Sequence, residues 1–263
     1  ACRTCEYCRG GSENLCPSIG ILGFSSDGGF AQYLALPKNG VENGCLNVIP
    51  SSLSFAEAAM AEPLACCLNG LQKVRLKKDE TVVILGAGPI GCLCAMASTY
   101  LGAGKVILVE QNPMRRTLSQ QATADTVLDS TEVDVVEAVK GLTNGRGAEV
   151  VVTCFREAAL VYPLLELAAP GGRVLMFSGI SGNRGVVPTD LNVIHYRELA
   201  LVGAYGCTSI QCQRALDLMA DGLDVNWLIS QRVDLNGLEE SFSALSSREA
   251  MKICVEPWEG NHG

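Results

Sequence analysis

Four thiols crowd the first sixteen residues. Cys2, Cys5, Cys8 and Cys16 follow the spacing C-x2-C-x2-C-x7-C. Four thiolates at this spacing can close on one tetrahedral Zn²⁺, and with every position filled by protein neither water nor substrate can bind the ion. Such a site is structural, a clamp on a loop with little core of its own. A disulfide pairing is the other chemistry open to four cysteines. It suits a small secreted chain better than one of 263 residues that also carries a nucleotide-binding pattern.

That pattern is "VVILGAGPIG", with G-x-G-x-x-G at Gly86, Gly88 and Gly91. A hydrophobic strand precedes it and an apolar helix follows it, as a dinucleotide fingerprint requires. The first glycine makes the tight turn and the second lets the backbone approach a pyrophosphate. The third lets helix and strand pack closely, and the pyrophosphate rests on the helix N-terminus. Glu110 ends the next strand, nineteen residues after Gly91. A carboxylate there accepts hydrogen bonds from the adenosine ribose hydroxyls and repels a 2′-phosphate, which favours NAD over NADP. Arg115 and Arg116 pull the other way, since a guanidinium can hold that phosphate. The bland alternatives are a glycine turn with no ligand and a solvated Glu110.

These groups need a scaffold, and the text supplies one. "TVVILG", "KVILVE", "DTVLD", "AEVVVTC", "GRVLMFSG" and "ELALVGAY" read as short buried strands. Helical segments separate them, so the pattern predicts a parallel sheet covered on both faces, a doubly wound α/β domain over residues 76–222. Residues 1–75 form a first, mainly β portion that includes the lobe at 2–16. In it residues 31–48 look strand-like, Ser54 and Glu57 form a capping box, and Pro63 starts a second helix. Residues 223–263 read as strand, helix, strand and return to that first portion. The net charge of −8 argues against a nucleic acid or an anionic membrane as partner. No apolar run reaches the roughly eighteen residues of a membrane span. Thirteen cysteines, nine of them outside the lobe and mostly in apolar text, read as reduced thiols of a cytoplasmic protein.

The lobe, then "DGGFAQY", "AEPLACCLNGLQKV" and "VVILGAGPIG", and later "LNVIHYRELALVGAY", together resemble the zinc-dependent medium-chain dehydrogenases, in their sorbitol (iditol) dehydrogenase-like branch. The resemblance runs from Cys2 to about Pro257. It implies a GroES-like catalytic domain paired with a Rossmann domain, and an enzyme that oxidises a secondary alcohol or polyol to a ketone. In that chemistry a catalytic Zn²⁺ holds the alcohol oxygen and hydride passes to the nicotinamide of NAD. Glu62 matches the position next to the catalytic zinc, bound to it directly or through water. Without the family it is a carboxylate that complements a helix N-terminus. The resemblance also implies coenzyme contacts at Pro89 and Ile90 on the pyrophosphate turn, and at Cys154 after the fourth strand. It adds Ser178, Gly179 and Ile180 after the fifth, and Ala204 and Tyr205 after the sixth. Simple strand-end packing is the alternative at each. Members commonly form homo-oligomers, tetramers or dimers.

The chain departs from the family in two ways. No His-Glu pair occurs in it, and the family's other catalytic-zinc ligands lie upstream of the lobe. The expectation is therefore an N-terminally truncated fragment, inactive as printed. "GAYGC" carries no arginine after the sixth strand, which puts sorbitol itself in doubt. His195 lacks an evident acidic partner and reads as structural, and His262 falls in the tail "EGNHG". An L-threonine 3-dehydrogenase-like enzyme satisfies the same motifs. A non-catalytic NAD-binding protein is the reading from a different class.

Overall fold

The structure, a computed structural model, describes residues 1–156, 161–180 and 185–258; His262 lies outside them. In chain order the elements are α1 (Glu6–Arg9), α2 (Lys38–Glu42), α3 (Phe55–Ala58), α4 (Ala61–Lys73), β1 (Thr81–Leu85), α5 (Pro89–Tyr100), β2 (Lys105–Glu110), α6 (Pro113–Ser119), β3 (Thr126–Asp129), α7 (Val135–Leu142), β4 (Ala148–Thr153), α8 (Val161–Leu167), β5 (Ala168–Met176), α9 (Leu191–Tyr196), β6 (Ala200–Gly203), α10 (Ser209–Ala220), β7 (Ile229–Val233), α11 (Leu238–Ser246) and β8 (Lys252–Val255). The chain divides into two compact units, Ala1–Ala65 with Gly206–Gly263, and Cys66–Tyr205. The divisions fall within α4 and after β6, whereas the sequence rhythm suggested residues 75 and 222.

The second unit is a six-stranded sheet in the order β3-β2-β1-β4-β5-β6, every pair parallel. Its central strands are continuous apolar runs because both faces are covered. Val83 pairs with Ile107 on one side and Val151 on the other, and all three are fully buried. From Gly91 to Ser98, α5 is buried on every side, which explains its lack of a polar face. On another part of the core Val139, Leu164, Leu167 and Val174 pack together. The strand ends differ from the expected ones by a few residues. β5 begins earlier, at Ala168, because that residue already pairs with Ala148 across a register shift.

In the first unit, α3 carries the expected capping box: Ser54 accepts from Glu57 N–H, and Glu57 reaches back to Ser54 N–H. Helix α4 starts at Ala61, so Pro63 sits within the first turn rather than at its first position, still where its missing N–H costs nothing. The strand-like reading of 31–48 is not met: the described residues there form no ladder, and Lys38–Glu42 is helical. β-propensity expresses itself only where a partner strand accepts the backbone bonds. Helix α10 starts at Ser209, earlier than expected, because Thr208 and Gln211 make a second capping box. β7 and β8 pair in parallel, and α11 provides the crossover that such a pair requires.

One ion pair staples the base of the second unit. Arg173 on β5 bonds both oxygens of Glu80, at 3.0 and 2.5 Å, and its Nε donates to Val74 O at 3.0 Å. Burial alone would raise the Glu80 carboxyl, but the Arg173 and Lys77 donors outweigh it and hold it below the ordinary range. Its contribution is therefore present above the ordinary glutamate pKa of about 4.3 and is lost as pH falls through the lower folded value. Arg173→Ala leaves a half-buried carboxylate unpaired and is expected to cost about 2–3 kcal/mol at pH 7 in denaturant titrations. The deficit shrinks in acid as Glu80 protonates.

Candidate functional site

The coenzyme end of the second unit lies past the C-terminal ends of β1 and β4, where the strand order reverses. Gly86 leaves β1 at φ +98°, and a Cβ there would meet Cys154 O at 3.0 Å. At Gly91 a Cβ would stand 1.8 Å from Gly86 O, so no other residue lets α5 start this close to β1. Gly88 caps α5 without any side-chain bond, and Pro89 takes the first position. The remaining first-turn N–H groups therefore have no side-chain cap and suit a phosphate. Ile90 O accepts the Cys67 thiol at 3.7 Å.

Glu110 is placed differently from the simple expectation. It is only 6% exposed. One carboxylate oxygen accepts Ala87 N–H, and the other accepts Gln111 and Asn112 N–H, all at 2.9 Å. It thus joins the turn after β1 to the turn after β2. Of its roughly four acceptor positions about one remains for a ribose hydroxyl. The two arginines divide the work. Arg116 is committed, donating to Gln111 O at 2.6 Å and pairing with Asp129 at 2.5 Å. Arg115 stands over the fingerprint, its Nη1 3.5 Å from where a Gly88 Cβ would be, and its buried Nε has no partner.

The other expected contacts follow neighbouring strands. Cys154 N–H donates to Leu85 O at 2.8 Å, and Ser178 N–H to Thr153 O at 3.2 Å. These bonds bring Gly86, Cys154 and Ser178 together at the C-terminal ends of neighbouring strands. Gly179 has open space where a side chain would begin. Ile180 packs on the core instead of standing free. Ala204 and Tyr205 follow β6, and Tyr205 is largely exposed. Exposed His195 is the penultimate residue of α9 and stacks edgewise on Tyr196.

In the first unit the four sulfurs of Cys2, Cys5, Cys8 and Cys16 all lie within 4.8 Å of one another. Tetrahedral zinc requires about 3.8 Å between sulfurs, so a small contraction suffices. The backbone is already arranged for sulfur anions: Cys2 Sγ accepts Cys5 N–H at 3.4 Å and Cys16 Sγ accepts Cys2 N–H at 3.3 Å. The Thr4 hydroxyl, followed by backbone donors, pulls Cys2 down to about 5, while burial pushes Cys8 up to about 11. Four sulfurs without a cation cannot all ionise, and this donor set fits Zn²⁺. Arg3 pairs with Glu13, whose other oxygen accepts Ser209 N–H at 2.6 Å, so the lobe is bonded to the start of α10.

Glu62 is exposed in the first turn of α4, with Cys66 one turn further on. Within the first unit its carboxylate lies within 4.8 Å of the Cys207 thiol. Cys207 and Cys212 are the residues that sequence reading passed over. Their sulfurs are 3.5 Å apart at the polar start of α10, not in an apolar core. Contact with Cys207, then burial, then Glu62 and Glu13 push the Cys212 thiol strongly upward. The signal was present in "CTSIQC", a capping box with cysteine at both staple positions.

Two outcomes follow from this geometry. The purified chain should hold about one zinc, the content of a single four-thiolate site, and Cys5→Ser should lose it in metal analysis; a metal-free parent would refute the lobe assignment. Gly91→Ala should abolish NADH-enhanced fluorescence, while Gly141→Ala, on open helix surface, should leave it intact.

Comparison with known proteins agrees with this arrangement. Residues 89–221 match the zinc-binding dehydrogenase family and residues 1–45 the alcohol dehydrogenase GroES-like domain. The chain is similar to the sorbitol dehydrogenase of Bacillus subtilis, at 27% identity over 97% of this chain and 71% of that protein. It is also similar to the L-threonine 3-dehydrogenase of a Chelativorans species, at 27% identity over 97% of this chain and 72% of the other. Among solved structures, a zinc-binding dehydrogenase of Sinorhizobium meliloti bound to NADP superposes with a TM-score of 0.88 at 32% identity, covering 98% of this chain and 74% of that one. With its fingerprint turn, its four-sulfur lobe and these matches, the chain belongs to the zinc-binding dehydrogenase family.

Proposed function

We propose that the chain serves a zinc- and NAD(P)-dependent dehydrogenase that oxidises a secondary alcohol of the polyol class to a ketone by hydride transfer to the nicotinamide. The observation that carries this reading is the turn from Gly86 to Gly91. Its glycines present the uncapped N–H groups of the start of α5, which suit a pyrophosphate, with the Arg115 guanidinium beside them. The buried Glu110 carboxylate supports NAD as the preferred coenzyme, because a 2′-phosphate would meet its charge. Glu62 is assigned to the neighbourhood of the catalytic zinc, directly or through water. Such a zinc, when bound, supplies Lewis acidity to the alcohol oxygen. The similarity to a sorbitol dehydrogenase supports a polyol substrate. The similarity to an L-threonine 3-dehydrogenase supports a second reading, an amino alcohol.

The assembly is read as a homo-oligomer with no nucleic-acid or membrane partner. No helix among the described residues is long and apolar enough to cross a membrane. Thirteen cysteines, nine of them outside the lobe and mostly in apolar text, support a reducing compartment such as the cytoplasm.

Fluorescence titration tests the coenzyme assignment: NADH should bind more tightly than NADPH, and Glu110→Gln should narrow the difference while lowering the melting temperature. A parent chain that prefers NADPH would overturn it. NADH formation against a panel of polyols and L-threonine, with zinc present, tests the substrate class. Turnover confined to L-threonine would favour the second reading.

A further inference from the structure

Cys207 and Cys212 have no part in the coenzyme turn or in the four-sulfur lobe, yet they are held face to face. Their sulfurs are 3.5 Å apart, a contact that a small side-chain rotation converts into a bond. The backbone between them is fixed by bonds on every side. Thr208 Oγ1 accepts Gln211 N–H at 3.2 Å, and Gln211 Oε1 accepts Thr208 N–H at 2.9 Å. Ser209 N–H donates to Glu13 at 2.6 Å, and the Ser209 hydroxyl donates to Gly44 O at 2.7 Å. The two cysteines occupy the residue before the cap and the fourth residue of α10, the positions where a hydrophobic staple ordinarily packs. Here thiols replace the apolar pair. Both are partly exposed, so a soluble oxidant can reach them.

We propose that Cys207 and Cys212 are a redox-active dithiol that closes to a disulfide across the first turn of α10. The oxidant is a small disulfide such as oxidised glutathione. One protein thiol, as its thiolate, attacks a sulfur of that disulfide and releases one small thiol. The second protein sulfur then attacks the mixed disulfide, its proton passing to the second departing thiol. Two protein thiols become one disulfide, and one small disulfide becomes two thiols. Bond formation removes the Cys207 thiol from beside Glu62, within 4.8 Å of it in the reduced chain. The redox state of the pair thereby changes the donors available at that carboxylate.

The test treats the zinc-loaded chain with oxidised glutathione, blocks remaining thiols with an alkylating agent and maps the tryptic peptides. Cleavage after Arg197 and Arg214 yields one peptide, 198–214, that contains both cysteines. The expected product is that peptide two hydrogens lighter, unalkylated and free of glutathione, and restored by a dithiol reductant. Exposed Cys45 serves as the comparison, since it should carry only a glutathione adduct. Cys207→Ser and Cys212→Ser should each stop at a stable glutathione adduct on the surviving cysteine. Recovery of peptide 198–214 from the parent chain with both thiols alkylated, or with glutathione retained under conditions that modify Cys45, would overturn the proposal. The parent-chain result stands alone should either variant fail to fold.

Discussion

One carboxylate joins the two turns on which the coenzyme end is built. Glu110 takes three backbone N–H groups, one from the turn after β1 and two from the turn after β2. A buried carboxylate is costly unless its oxygens are bonded, and hydrogen bonds to a charged acceptor are the strong kind. The arrangement satisfies both demands and fixes the spacing between the ends of β1 and β2. The 1.8 Å clearance that excludes a Cβ at Gly91 then sets how closely α5 approaches. Together these constraints make the coenzyme end a rigid frame rather than a flexible loop.

The lobe follows a different logic. Its helix α1 is four residues long and buries none of them, so it lacks a hydrophobic core. Order comes instead from N–H donors to sulfur and from the Arg3–Glu13 pair, which extends through Ser209 to the start of α10. The uneven acidities of Cys2 and Cys8 follow from the Thr4 hydroxyl at one sulfur and burial at the other. Glu13, the Thr208–Gln211 capping box and the Cys207–Cys212 contact thus share one small region of the first unit.

Much of this was legible in the text. The central strands of the second unit were visible because strands buried on both faces must be continuously apolar. The fingerprint was visible because its glycines answer steric demands that no other residue meets. The segment at 31–48 was misread, since its β-formers form no ladder in the described residues, and a strand without a partner does not persist. The start of α10 was misread for a simpler reason: Thr208 and Gln211 spelled a capping box that apolar periodicity alone overlooks.

The sequence by itself determined the doubly wound fold, the four-thiolate lobe and the dinucleotide turn. Each rests on local spacing or on periodicity, which are properties of residue order. Tertiary structure alone decided that Glu110 spends most of its acceptors on the backbone, that Arg115 is uncommitted while Arg116 is paired, and that Cys207 meets both Cys212 and Glu62. Those outcomes depend on which loops meet after the chain folds. The energy of a charged or thiol group depends on its neighbours in space, and sequence distance does not report them.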